Sequence, residues 1–426
     1  MSATAETSIT RRWYVGHGER AALAAAAATY FLLLCGYYML RSLREAIALE
    51  GGSRNIPRLF WLTTIVMLVI LPLYWWVVAR VPRRRLLMTI YLPVVVLFAS
   101  IAASTGAEHV PPKLAAVYFI AVTALNLFIV SVFWSVMVDL WKPDCAKRLF
   151  GVIAAGGSAG ALAGPAFNAL FVQRLGPTSI IYIACTLLIG AVVLGMLAQA
   201  LRAKADTTTA NDASVAVGGR AIDDLARLAR SPYLLAIAGL IVMGQVFGAF
   251  MYNEQAKYVE NTYVTLAERA ALFARIDFAT NIFALALQAL IVGWLTTRAG
   301  VRGTLSVTWA ILGASFAILA FIPTGSVLLI TQVIRRAADY GLFKPSREML
   351  FTVLSPETKF KSKSLIDTLL HRGSDSLGNA LYVLVSGLGL AFLAGLCAAA
   401  CVLLLVGARW LGAAFADQES KASRSH

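Results

Sequence analysis

Charged residues are scarce in this 426-residue chain: Asp, Glu, Lys and Arg together make up 14%, and only 22 residues are acidic. A soluble domain of this length carries far more, so a water-exposed globule is excluded. Cysteine is also sparse. The five, at 35, 145, 185, 397 and 401, have no ligand-like spacing, and Cys397 and Cys401, one turn apart, have no His or carboxylate beside them. Neither a disulfide framework nor a metal centre is expected, and no cofactor. There is no G-x-x-x-x-G-K-[ST] phosphate loop, which excludes work powered by ATP hydrolysis in that manner. The nucleophile elbow and H-E-x-x-H are missing too, so nothing in the sequence supplies the chemistry of an enzyme.

What fills the chain is apolar: 59% of residues are hydrophobic and the mean hydropathy is +0.74. A bilayer-spanning helix needs about 20 apolar residues. Runs of that kind fall near 22–40, 59–79, 86–104, 114–138, 152–172 and 178–200, and again near 231–253, 270–296, 304–322, 327–347, 364–387 and 390–411. The expectation is an all-α membrane protein of twelve transmembrane helices in two pseudo-symmetric six-helix bundles. Its parts would be 1–200, a cytoplasmic linker at 201–230 with a surface helix from Ala221 to Arg230, 231–412, and a cytoplasmic tail at 413–426. The first run follows Arg11, Arg12 and Arg20 without a small-residue cleavage site, so it reads as a retained helix. Lys and Arg crowd Arg80–Arg85, Lys142–Arg148 and Arg202–Arg230, which places both termini in the cytoplasm of a multi-pass, bacterial inner-membrane protein. The net charge of +15 is then topology and asks for no nucleic acid.

An internal repeat supports two halves. "WWVVARVPRRR" ends the second run and "GWLTTRAGVRG" the eighth; Arg80 matches Arg298 and Arg84 matches Arg302, 218 positions apart. "KRLFGVIAAGGSAG" from Lys147 aligns with "KSLIDTLLHRGSDS" from Lys363 at an offset of 216.

Charges inside the apolar runs are the informative exception, because each costs roughly 2.5–3.5 kcal/mol at mid-bilayer and so faces a bundle interior or a watery cavity. Arg41, Arg44 and Glu45 close the first run, with Glu45 placed to pair with Arg41. Glu254 and Lys257 close the seventh; Arg275 and Asp277 open the eighth. Arg335, Arg336 and Asp339 sit in the tenth, where Asp339 is expected to hold both arginines. Lys363, Asp367, His371 and Asp375 recur every fourth residue in the eleventh, with Lys361 just before them. Cations slightly outnumber acids in this set, which points to an anionic small-molecule ligand, and Arg is suited to phosphate or carboxylate. Gly156, Gly160 and Gly164 form a smooth strip for close helix packing, followed by Pro165.

Two resemblances sharpen this. Gly293 to Arg302 resembles the loop signature G-x-L-x-D-R-x-G-R of the major facilitator superfamily, with Thr297, and Ala79 in the first-half copy, where Asp is usual. Gly160-x-x-x-Gly164-Pro165 is similar to the start of that superfamily's antiporter motif, with Asn168-Ala169 in place of its closing Gly-Gly. "LFKPSREMLFTVLSPETKFKSKSLID" resembles the ATP/ADP translocase family, through Phe343, Pro345, Glu348, Met349, Glu357, Lys359, Lys361, Lys363, Ile366 and Asp367. "YYMLRSLREAIALEGG" resembles its first-helix exit, with Arg44 where that family has a phosphate-interacting Lys and Glu45 where it has Asp. The resemblance implies a monomeric antiporter of nucleotides or related phosphorylated anions working by alternating access. On this view Arg41, Arg44, Lys257, Arg275, Arg335, Arg336, Lys361 and Lys363 would bind the substrate. Glu45, Glu254, Asp277, Asp339, Asp367, His371 and Asp375 would couple or pair with them. A proton-driven carrier or drug exporter turning on His371, and a non-transporting receptor of the same fold, remain the alternatives.

Overall fold

A computed structural model describes residues 17–104, 110–141, 143–205, 231–353 and 370–424, and among these there is no β-strand. Lipid offers no hydrogen-bond partner, so an apolar chain must satisfy its backbone internally, and helices do so within one segment. In the first half these are α1 (His17–Ala48), α2 (Ile56–Arg80), α3 (Arg83–Ser104), α4 (Pro112–Leu140), α5 (Pro143–Leu175) and α6 (Pro177–Ala205). The second half contributes α7 (Pro232–Thr262), α8 (Leu266–Ala286), α9 (Gly293–Phe321), α10 (Gly325–Ala338), the short α11 (Lys344–Leu350), α12 (His371–Val385) and α13 (Leu390–Arg424). Proline opens α4, α5, α6 and α7, where its missing N–H is not needed. Of the linker expected at 201–230, residues 201–205 continue α6 and 206–230 lie outside the described residues. Residues 413–424, expected as a tail, continue α13.

Among the described residues, nine helices are long and apolar enough to cross a membrane. One is the 56-residue run Leu266–Phe321, which at 1.5 Å per residue spans about 84 Å, far more than one bilayer core. It is broken at Gly300, whose φ of 65° and ψ of −176° only glycine adopts without strain. This separates the eighth and ninth of the twelve expected spans. The tenth runs from α10 through a π-turn at Asp339–Phe343 into α11. Its charges keep it out of a purely hydrophobic count, as their polar residues do for α12.

The chain forms two compact units. Among described residues, the first holds 17–52, 65–205 and 263–275, the second 53–64, 231–262 and 276–424. Inside the first, α1 is the central helix, packed by α4, α5 and α6. Tyr118 of α4 donates to the Leu40 carbonyl at 3.1 Å, and Tyr30 stacks on Phe133 with centroids 4.3 Å apart. Arg269 meets Glu50 at 3.4 Å in the same unit. Inside the second, α9 packs along α13 and α7 along α12, around Trp309, Phe316, Phe247 and Phe351. The start of α2 belongs here: the Ser53 N–H donates to Glu260 at 3.0 Å, and Thr64 bonds Ser376 at 2.9 Å. The surface carries large apolar side chains such as Leu384 (79% exposed) and Leu403 (74%). Such exposure suits contact with lipid tails rather than water.

Candidate functional site

The two adjacent arginines of α10 are handled in opposite ways. Arg336 Nη2 lies 2.5 Å from Asp277 Oδ1 of α8, and that carboxylate is only 2% exposed. The expectation that Asp339 holds both arginines is therefore corrected for Arg336, while Asp339 stays beside Arg335 on one cavity wall. Asp277 takes Arg336 because successive side chains on a helix point about 100° apart, toward different neighbours. Arg335 donates through Nε to Gln332 Oε1 at 2.9 Å, and Gln332 Nε2 donates to Gln255 Oε1 of α7 at 2.8 Å. Both glutamines are buried. This relay fixes the guanidinium through its inner nitrogen and leaves the two terminal nitrogens to other partners. No carboxylate lies within 4.0 Å of Arg335 among the described residues. Gly248 of α7 makes the room, since a Cβ there would sit 3.2 Å from Arg335 Nη1.

Arg335 and Asp339 line one cavity of about 20 Å³ with Phe247, Thr308, Trp309 and Phe343. That is space for one water molecule. Three of the lining residues are aromatic, and the guanidinium and the Asp339 carboxylate share a small space in which charge is weakly screened.

Asp339 also begins the π-turn Asp339–Phe343, and α8 leaves through a second π-turn, Leu287–Val292; the two turns pack on one another. Gln288 Nε2 donates to the Tyr340 carbonyl at 2.8 Å. Gly341 allows the approach: a Cβ there would fall 2.7 Å from Leu287 Cβ. π-turns interrupt helices mostly at functional places, and this pair adjoins the cavity.

A second polar seam joins α7 to α12. Tyr382 donates to Glu254 Oε1 at 2.8 Å, and Asn253 Nδ2 to Asn379 Oδ1 at 2.8 Å. Glu254 is 5% exposed and has no basic group within 4.0 Å among the described residues. Asp375 is half-buried in the first turns of α12. His371 starts that helix, but its side chain, like Lys361, Lys363 and Asp367, lies outside the described residues. Lys257 and Arg275 are exposed and do not join the Arg335 cluster. Arg275 is two residues from the buried Asp277 and so points to a different face of α8, whereas Lys257 is one turn beyond the buried Glu254 of α7.

In the first unit, Arg44 pairs with Glu45, donates to Thr123 Oγ1 at 3.0 Å and lies over the Phe119 ring at 4.9 Å. Glu45, expected to pair with Arg41, has Arg44 as an ion-pair partner. The Arg41 guanidinium lies 5.4 Å from the Tyr38 ring. Gly156, Gly160 and Gly164 of α5 ride on α1: a Cβ on each would approach the carbonyl oxygens of Ala27, Phe31 and Cys35 to 2.5, 2.2 and 2.5 Å. Pro165 is buried one residue on. Asn168 locks the same crossing by donating to the Met39 carbonyl at 2.8 Å and to Ser42 Oγ at 2.5 Å.

Asn168, Thr123, Asn379, Tyr382 and Trp309 were not singled out from sequence as members of these clusters. Their signal was a lone polar or amphipathic residue in an apolar run, which does not name its partner.

No protein-family model and no curated protein matches the sequence. Solved structures do match along nearly the whole chain. A bacterial homologue of the iron transporter ferroportin, inward-facing, superposes with a TM-score of 0.67 at 11% identity, over 92% of this chain and 98% of that one. A peptide transporter of the POT family in complex with sulfate gives 0.61 at 15% identity, over 93% and 95%. The nucleoside transporter NupG gives 0.57 at 14% identity, over 93% and 99%. The chain shares its fold with these transporter structures, in line with the major facilitator-like architecture expected from sequence.

Proposed function

We propose that the protein is a secondary active transporter that exchanges nucleotides, ATP/ADP-like, or related phosphorylated anions across the membrane by alternating access. The observation that carries this reading is Arg335: a guanidinium in a membrane helix, oriented by Gln332, with no carboxylate within 4.0 Å among the described residues, lining a small, largely aromatic cavity together with Asp339. Holding a cation away from water is costly even with the Asp339 carboxylate on the same cavity wall, so a site that keeps one is best explained by a negatively charged guest. Supporting it are the likeness to folds whose members include a nucleoside transporter and a sulfate-bound peptide transporter, and the resemblance of 343–367 and 37–45 to nucleotide exchangers. Exchange follows from the same electrostatics. An empty carrier must reorient with a buried guanidinium that makes no close ion pair, whereas an occupied one moves with that charge matched by its guest.

The experiment is counterflow. Proteoliposomes loaded with ADP should accumulate labelled ATP, and Arg335→Gln should abolish the uptake. Should no phosphorylated anion show counterflow in the wild-type protein, the reading fails.

A proton-coupled carrier is the second reading, favoured by Glu254, a buried carboxylate whose contact here is the Tyr382 hydroxyl. Net uptake driven by a pH gradient without internal substrate, lost in Glu254→Gln, would select it.

A further inference from the structure

The function above leaves the arginines of the repeated loop unused. In the superfamily signature that the loop resembles, an Asp is usual where this chain has Ala79 and Thr297. Thr297 cannot replace it as a counter-charge, and its hydroxyl is turned back onto the carbonyls of Gly293 and Trp294 at 3.0 Å each. Arg80, Arg84, Arg298 and Arg302 are all exposed, and among the described residues none has a carboxylate within 4.0 Å.

Two of these arginines are nevertheless held in place. The Arg80 guanidinium lies 4.5 Å from the centroid of the Trp76 ring, and that of Arg298 lies 5.0 Å from the Trp294 ring. Both tryptophans are 53% exposed. The two pairs stand at matching positions of the internal repeat, 218 residues apart, one in each unit. Each has a further arginine four residues on, past the end of α2 in one case and past the break at Gly300 in the other. A guanidinium stacked on an aromatic face keeps its in-plane N–H donors, the set that grips phosphate in two-point contact. Tryptophan at a helix end favours the level of the lipid headgroups.

We infer that each Trp-x-x-x-Arg clamp, Trp76 with Arg80 and Arg84, and Trp294 with Arg298 and Arg302, binds the phosphate headgroup of an anionic phospholipid. The exposed indole lies against the acyl chains below it. Free phosphate has the charge but not the chains, and a zwitterionic lipid has the chains but not the net charge; only an anionic lipid satisfies both halves of the clamp. These sites are separate from the Arg335 cavity and do not depend on what that cavity carries.

The test is native mass spectrometry of the purified full-length protein titrated with phosphatidylglycerol, with phosphatidylcholine of identical chains, and with phosphatidylglycerol in the presence of inorganic phosphate. Phosphatidylglycerol should be retained preferentially, with two tight sites per chain. Arg80→Gln with Arg84→Gln should remove one and Arg298→Gln with Arg302→Gln the other. Each arginine lost should weaken its site about fivefold, while phosphatidylcholine uptake stays unchanged. Trp76→Leu and Trp294→Leu keep the apolar bulk, remove the ring that orients the guanidinium, and should also weaken their own site. They provide the comparison if the charge variants do not fold. Equal uptake of the two lipids, wild-type retention in the variants, or displacement by inorganic phosphate would overturn the assignment.

Discussion

The side-chain amide of Gln288 donates to the backbone carbonyl of Tyr340 at 2.8 Å, and this bond ties the π-turn that ends α8 to the π-turn that ends α10. A π-turn shifts backbone carbonyls out of the regular i−4 register, so a glutamine that supplies a donor there stabilises both interruptions at once. Arg336, in the last turn of α10, and Asp277, midway along α8, pair the same two helices. The Arg335 cavity is lined by Asp339 and Phe343, the first and last residues of one of these turns.

Gly341→Ala is expected to force these turns apart, because the new Cβ would lie 2.7 Å from Leu287 Cβ and 3.1 Å from the Ala284 carbonyl oxygen. Overpacking of this kind costs about 1–3 kcal/mol. A thermal or denaturant unfolding series in detergent checks it, with Gly373→Ala, which meets nothing within 4 Å, as the neutral comparison. An unchanged midpoint for Gly341→Ala would mean that the close contact is not needed.

Arg336→Gln and Arg335→Gln should separate stability from ligand recognition. The first removes the cation from a carboxylate that is 2% exposed, and breaking such a pair costs about 3–5 kcal/mol. Adding Asp277→Asn should recover much of that loss, since a neutral pair can still hydrogen-bond. Arg335→Gln removes no ion pair within 4.0 Å and should shift the unfolding midpoint far less. Equal losses for the two variants would place Arg335 among the structural residues.

Gly160→Ala should damage the first unit, since its Cβ would lie 2.2 Å from the Phe31 carbonyl oxygen, backbone that cannot swing aside. The expected loss is about 2 kcal/mol or more, read as a lower unfolding midpoint and reduced yield from membranes. Gly151→Ala on the same helix meets nothing within 4 Å and should be silent.

Tyr382→Phe removes the hydroxyl that donates to Glu254. Hydrogen bonds to a charged group contribute about 1.5–3 kcal/mol, so the variant should unfold earlier at neutral pH, and Glu254→Gln should suppress most of that difference. Persistence of the full difference in the Gln background would show that the hydroxyl acts through packing alone.

Much of this architecture was legible in the sequence because lipid leaves few options. Long apolar runs gave the helices, and Gly156, Gly160 and Gly164, spaced by four, marked a strip whose close partner proved to be the α1 backbone. The break at Gly300 fell where a loop was expected. The pairing of charges was not legible. Sequence spacing finds neighbours on one helix, such as Arg335 and Asp339 or Arg41 and Glu45. The partner of Arg336 is Asp277, 59 positions away, and only helix packing brings it there. Polar residues of α12 likewise became meaningful once α7 lay against them. Lys257 and Arg275 read as candidates by proximity in sequence to Glu254 and Asp277, and both are exposed where those acids are buried.

The most direct measurement of the central claim is equilibrium stabilisation by ligand. Purified wild-type protein and Arg335→Gln would be heated with and without ADP, ATP and simple phosphate esters. A specific ligand at about one hundred times its Kd adds roughly 2.7 kcal/mol to the stability of the state that binds it. The account predicts a saturating rise in the midpoint for the wild-type protein with at least one of these anions, and its loss in Arg335→Gln at little change in basal stability. A rise of equal size in both proteins, or none in the wild type with any phosphorylated anion, would contradict it.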